Sequence, residues 1–247
     1  MATVPALWMA VYDGRVRDVV QLASVGVDLD ESAGHYDYSP LHVAVKQGQA
    51  HVVEILLHHG ASVSTWDTDG NSPLHLACSD RQLVGRVAMI KLLLEHGADV
   101  NNEDYVGQRP LNHAIRYASI QSIKLLLKHG ANISLRDDEG YNALHCAVRC
   151  HREEMAVEHY RVEANHRLTY ALRPTRPRRT EKAVQVIQTL LTHTPDVYEL
   201  IAALYDNKMV GETPEEFAYE DEVVEILRSA LLRAHEKRRI LLEAFTT

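Results

Sequence analysis

Residues 143–154, ALHCAVRCHREE, bring His145, Cys146, Cys150 and His151 within seven positions. Two thiols and two imidazoles so close together are the ligand types of a zinc centre, or a thiol nucleophile with its base. On a helix Cys146 and Cys150 stand four apart and share a face, so both could reach one ion. A tetrahedral centre wants four ligands, commonly as two close pairs. His151 points about 100° round the helix from Cys150, and Cys78 is remote in the chain. No arranged base and orienting residue can be named for a thiol nucleophile, so no metal, cofactor or catalytic cysteine is expected here. What the four residues do depends on the elements that hold them.

Composition narrows the classes. The chain has 247 residues, 46% of them hydrophobic and 24% charged, with a formal net charge of −8. That is enough to bury a core, and the charge is not that of a general nucleic-acid binder, which would be basic. Three cysteines argue against a disulfide framework. The first twenty residues carry charge from Asp13 onward and do not read as a leader. No apolar run approaches the roughly 18–20 residues of a membrane span. The expected setting is cytoplasmic or nuclear, with reduced thiols.

Self-similarity then organises the chain. The phrase SPLHVAVKQGQAHVVEILLHHGASV (39–63) returns as SPLHLACSDRQLVGRVAMIKLLLEHGADV (72–100) and as RPLNHAIRYASIQSIKLLLKHGANI (109–133). Each unit opens on a proline suited to a first helical turn. A short helix follows with Leu and Ala at 41/44, 74/77, 111/114 and 144/147. A second helix carries Val53, Ile55 and Leu56, or Ile90, Leu92 and Leu93, or Ile123, Leu125 and Leu126. Gly60, Gly97 and Gly130 stand where a left-handed residue ends a helix. Polar turns, TWDTDGNS, NNEDYVGQ and LRDDEGYN, separate the units. The third unit has four extra residues between its helices.

These residues resemble the ankyrin repeat, whose pattern runs D-x-x-G-x-T-P-L-H-x-A-A and then V-V-x-L-L-L-x-x-G-A-D-V-N. The resemblance implies an all-α solenoid of helix-turn-helix units with hairpin-like turns. Its approximate units are 1–34, 35–67, 68–104, 105–137, 138–206 and 207–232, within one domain spanning 1–232. A C-terminal helical extension, 233–247, follows. The first unit is divergent, with Leu7, Ala10, Gly14, Val19, Leu22 and Gly26 in phase with their counterparts. The last, from GETPEEFA (211–218), is also divergent. His42, His75 and His145 occupy the slot whose imidazole ties neighbouring turns in this family. His59, His96, His129 and His193 sit near helix C-termini, where cationic character is favoured.

Three departures stand out. The fifth unit starts normally, but its second helix, AVQVIQTLLTH, appears late, so about 151–181 is inserted. The inserted REEMAVEHYRVEANHRLTYAL prolongs the first helix, and RPTRPRRTEK reads as an extended loop. That basic loop is short and lacks aromatics, so it reads as solvated, with a nuclear address as the alternative. TPDVYELIAALYDNKMVGE (194–212) replaces a turn by a short helix. Finally Val224, Leu227, Leu231, Ala234, Leu241 and Phe245 predict one helix running to about Phe245.

The tips between units carry Tyr36 and Tyr38, then Trp66, Asp67 and Asp69, then Glu103, Asp104 and Tyr105, then Asp137, Asp138, Glu139 and Tyr141. Aspartate there belongs to the pattern; the aromatics do not. Exposed Tyr and Trp are enriched at binding hot spots. The candidate partner-binding set is Tyr36, Tyr38, Trp66, Asp69, Tyr105, Arg116, Tyr117, Asp138 and Tyr141. The leading expectation is a non-catalytic scaffold, adaptor or inhibitor that binds another protein or an extended peptide with a basic face. One alternative is an enzyme whose insertion roofs a pocket over repeats four and five. His113, Arg116, Tyr117, Tyr141 and His151 would then supply acid–base groups. The other alternative is an assembly subunit that dimerises or docks through its C-terminal helix.

Overall fold

The computed structural model describes residues 5–79, 85–117, 119–150, 178–193, 225–234 and 236. They fall in two units, Met1–Asn132 and Ile133–Thr247.

The first unit is four helix pairs: α1 (Ala6–Tyr12) with α2 (Val16–Ser24), α3 (Pro40–Lys46) with α4 (Ala50–His58), α5 (Pro73–Ser79) with α6 (Arg86–Glu95), and α7 (Pro110–Arg116) with α8 (Ile120–Lys128). Helices of 7–10 residues are marginal alone, so stacking must hold them. The row α1–α3–α5–α7 packs in sequence, and α2–α4–α6–α8 packs beside it. Between the rows lies the repeated Leu/Ala core. Leu41, Ala44, Leu74, Ala77, Leu111 and Ala114 are all buried, as are Val53, Leu56, Ile90, Leu93, Ile123 and Leu126. Each large side chain so buried contributes about 1.5–3 kcal/mol relative to exposure. A repeat sees only its neighbours, so the core is continuous through the stack.

Helix ends follow from the motif letters. Ser39 caps α3 by accepting from the His42 amide, while the Ser39 amide donates to His42 Nδ1, 3.2 Å away. At the far end of α4, Gly60 takes φ 92°, its N–H donates to Leu57 O and the Ala61 N–H donates to Leu56 O. This is a Schellman ending, which only a residue at home in the left-handed region makes without strain. The α6 and α8 endings repeat it. The α5–α6 connection spans 80–85 where its siblings use 47–49 and 117–119, and 80–84 lie outside the described residues.

In the second unit, α9 is helical from 143 through 150 and buries Ala143, Leu144, Cys146, Ala147 and Val148. The late second helix, α10 (Arg178–His193), buries Val184, Val186, Ile187, Leu190 and Leu191 along one face. It begins earlier than the sequence reading allowed: Arg178–Lys182, expected to be extended, is helical. The last proline of that loop is Pro177, and past it nothing opposes a helix. The C-terminal helix α11 is described over 225–234, with Ala230 buried and Leu232 exposed. The inserted 151–177, the segment 194–212, the expected start of the last repeat at 211–218 and the expected continuation of the C-terminal helix to about Phe245 lie outside the described residues. Among the described residues no helix is long and apolar enough to cross a membrane.

Candidate partner-binding surface

The surface is built from one small device used three times. In each of three turns an aspartate N–H donates to the carbonyl four residues on: Asp67 to Asn71, Asp104 to Gln108 and Asp137 to Tyr141. Its carboxylate Oδ1 accepts two further backbone amides, from Asp69 and Asn71, from Val106 and Gln108, and from Glu139 and Tyr141. Asp67 and Asp137 are buried by this role. Three of the tip acids are therefore turn ties, whereas Asp69 and Asp138 are exposed.

Histidines then tie one turn to the next. His42 Nδ1 accepts from the Ser39 N–H, so Nε2 carries the proton and donates to Asn71 O of the following turn at 3.0 Å. His75 repeats this with Ser72 and with Gln108 O. Both rings are fully buried, and burial holds each pKa below the ordinary value, that of His75 at about 4, where neighbouring His113 adds to the effect. His145 accepts the Asn142 amide in the same way.

Within the first unit the turns are also laddered. Thr68 N–H donates to Tyr36 O and Tyr105 N–H donates to Asp69 O. This ladder fixes the spacing of three exposed aromatics: Tyr36 at 47%, Trp66 at 54% and Tyr105 at 64%, with Val106 at 56% beside the last. Tyr38 is only half exposed; its ring stacks on Tyr36 and its carbonyl accepts from Trp8 Nε1. In the second unit Tyr141 is half-buried against His145 and beneath Arg149.

Three cations at the ends of first helices have a shared task. Lys46, Arg116 and Arg149 hold one repeat position, and each reaches the turn residue eight places earlier. Lys46 Nζ donates to Tyr38 Oη at 2.8 Å and lies over the Tyr36 and Tyr38 rings. Arg116 donates to Gln108 Oε1 at 2.9 Å, and Arg149 sits over Tyr141 and pairs with Glu139. Tyr117, the C-cap of α7, is half-buried. Spacing rules for a single helix do not reveal this latch, because it runs from a helix end back across the loop that precedes the helix.

The fourth repeat alters the pattern. Arg109 replaces the capping serine and is buried, its guanidinium paired with Glu103 and bonded to Gly107 O. Asn112 takes the histidine slot, and His113 moves one place on. His113 Nδ1 lies 2.7 Å from Ser79 Oγ and Nε2 lies 3.2 Å from Asp104 Oδ2. A serine, an imidazole and a carboxylate in line are the parts of a nucleophilic triad. Here Ser79 Oγ also bonds its own helix at His75 O, 2.7 Å away. Ser79 Oγ donates its one proton to His75 O, so toward His113 Nδ1 the hydroxyl can only accept. The arrangement joins repeats three and four, and it leaves the hydroxyl as an acceptor instead of a nucleophile. Burial pushes the Asp104 carboxyl up, but the bonds from His113, Gln108 and Val106 outweigh it and hold it below the usual range.

The acid–base candidates are thus dispersed in role. His113 serves this tie, Arg116 and Tyr141 serve the latch, and His151 lies outside the described residues. A cavity of about 330 Å³ is lined by Gly85, Arg86, Val87, Ala88, Ser119 and Gln121, none of them among those candidates. Burial pushes the Cys78 thiol up to about 12, against a smaller opposing effect of Arg86, which makes it a poor nucleophile. Cys146 is buried and Cys150 half-buried, all three cysteines being thiols. No three His, Cys, Asp or Glu side chains converge as a metal centre among the described residues.

The chain matches the family model of ankyrin repeats over residues 7–104 and again over 89–158. It belongs to the ankyrin-repeat family. Among curated proteins, it is 32% identical over 72 residues to an ankyrin repeat-containing protein of Schizosaccharomyces pombe. It is 33% identical over 81 residues to palmitoyltransferase AKR1 of Lachancea kluyveri, and 37% identical over 70 residues to palmitoyltransferase ZDHHC13 of Homo sapiens. These stretches are 29%, 33% and 28% of this chain. They span 34% of the yeast repeat protein and 11% of each palmitoyltransferase, well under two thirds of any of them.

Proposed function

We propose that the chain is a protein-binding adaptor or inhibitor that engages its partner through the turn tips of the first unit. Ankyrin repeats are protein-interaction modules, and the observation that carries the finer reading is the ladder presenting Tyr36, Trp66 and Tyr105 to solvent. Rigid aromatics lose little side-chain entropy on binding and concentrate affinity. Asp37 and Asp69 are exposed beside them, which favours a partner with a basic face. The partner is a folded protein surface or an extended peptide, met in the cytosol or nucleus, where the three thiols stay reduced. Affinity capture from the native cell tests this by comparing the intact chain with a Trp66→Ala/Tyr105→Ala variant. Loss of specific proteins with the variant, together with their release by moderate salt, is the expected result. An unchanged set of captured proteins contradicts it.

A further inference from the structure

A row of histidines on the second helices plays no part in the turn ties. His58 Nδ1 lies 2.9 Å from Glu54 O, and His96 Nδ1 lies 2.9 Å from Leu92 O. A carbonyl oxygen only accepts, so Nδ1 carries the proton in both rings and the neutral imidazoles keep a lone pair on Nε2. This is the tautomer of a metal-ligating histidine, whose other nitrogen donates to a carbonyl and so fixes the ring. Both residues are exposed, and their rings meet edge to face with centroids 5.8 Å apart across α4 and α6. Two imidazoles on one tetrahedral ion, with metal–nitrogen bonds of about 2 Å, hold their centroids about 5 Å apart. The observed separation is close to that distance, and exposed rings have room to turn so that both Nε2 atoms face one ion.

We propose that His58 and His96 form a two-imidazole chelate for a first-row divalent cation of the zinc class. Water completes the coordination. Imidazole selects zinc, copper or nickel over magnesium and calcium, which prefer oxygen. With two protein ligands the site exchanges its ion readily and is open to a third ligand from a partner. Bound metal would also clamp the ends of α4 and α6, and so join repeats two and three. His59 and His129 supply an internal control. Each makes the same Nδ1 bond, to Ile55 O and Leu125 O, but has no ring neighbour among the described residues.

The test is a titration of the full chain with zinc, followed at the histidine ring nitrogens by NMR. The expected result is a concerted shift of His58 and His96 Nε2 complete near one equivalent, ahead of His59 and His129. His58→Ala and His96→Ala should each weaken zinc binding at least tenfold and abolish the rise in melting temperature that zinc produces. His129→Ala should leave both unchanged. Both rings are exposed, so these variants fold. Binding spread evenly over the exposed histidines, or undiminished in either His58→Ala or His96→Ala, overturns the proposal.

Discussion

Tyr105 lies against the backbone of Gly70, so closely that a methyl group on that glycine would stand 2.5 Å from Tyr105 Cδ1 and 2.6 Å from its amide nitrogen. The contact links two successive turns, and Gly70 also holds φ 78°. One residue thus meets two demands that only glycine satisfies: a left-handed backbone and a missing side chain.

Gly70→Ala should accordingly cost more than the backbone effect alone. Gly60 has φ 92°, but a methyl group there would meet nothing within 4 Å, so Gly60→Ala should lose only about 1–2 kcal/mol. Gly70→Ala should lose about 1–3 kcal/mol beyond that, because Tyr105 and its bond to Asp69 must move. Denaturant midpoints of the two variants make the comparison. Equal losses would mean that the Tyr105 contact carries no weight.

Acid should weaken the fold through His75. The folded chain keeps this ring neutral down to about 4, whereas an unfolded histidine takes a proton near its ordinary 6.5. Between those values the unfolded state binds the proton and the folded state does not, so stability falls as pH drops through the window. The contribution lost between pH 7 and 5 is about 2 kcal/mol. Asn112 shows that asparagine is accepted in the same repeat slot, so His75→Asn is the natural probe. It should flatten the pH dependence of the unfolding midpoint over pH 5–7 and leave the smaller share due to His42. An unchanged slope would contradict the assignment.

The tip acids should separate stability from binding. Asp104→Ala removes the acceptor for two amides and for His113, a loss of about 1.5–3 kcal/mol. That stabilisation needs the ionised carboxylate, so the difference from the intact chain should shrink as pH falls through the lowered carboxyl range. Asp69→Ala touches an exposed side chain, and stability should change by no more than about 0.5 kcal/mol while partner affinity falls. Equal destabilisation by the two changes would erase the distinction.

The repeat itself was legible because proline, leucine, alanine and glycine recur at fixed spacing, and each letter has one local reason to be there. His42 and His75 perform the role their slot implies, and His145 makes the first half of it, the bond within its own turn to Asn142. Residues 143–150, ALHCAVRC, the described part of the stretch that invited a metal or nucleophile reading, form the first helix of repeat five: Leu144, Cys146 and Ala147 are buried and His145 binds the Asn142 amide. The relations that were not legible are those that cross loops. The latch from Lys46 to Tyr38 and the stacking of Tyr105 on Gly70 join positions whose proximity depends on how the turns stack. The replacement of a capping serine by buried Arg109 also needed its partner, Glu103, to be seen. Helix α10 begins before its predicted start because Pro177 ends the loop, and helix formers follow at once.

Site-specific photo-crosslinking tests the central claim most directly. A photoreactive phenylalanine analogue placed at Trp66 or Tyr105, on the tips, is compared with the same probe at Glu54 on α4 or Lys124 on α8, both exposed. In native cells the tip probes should form a discrete covalent adduct with another protein, and the helix probes should not. Adducts from positions 54 or 124, with none from 66 or 105, would place the binding surface elsewhere and contradict the account.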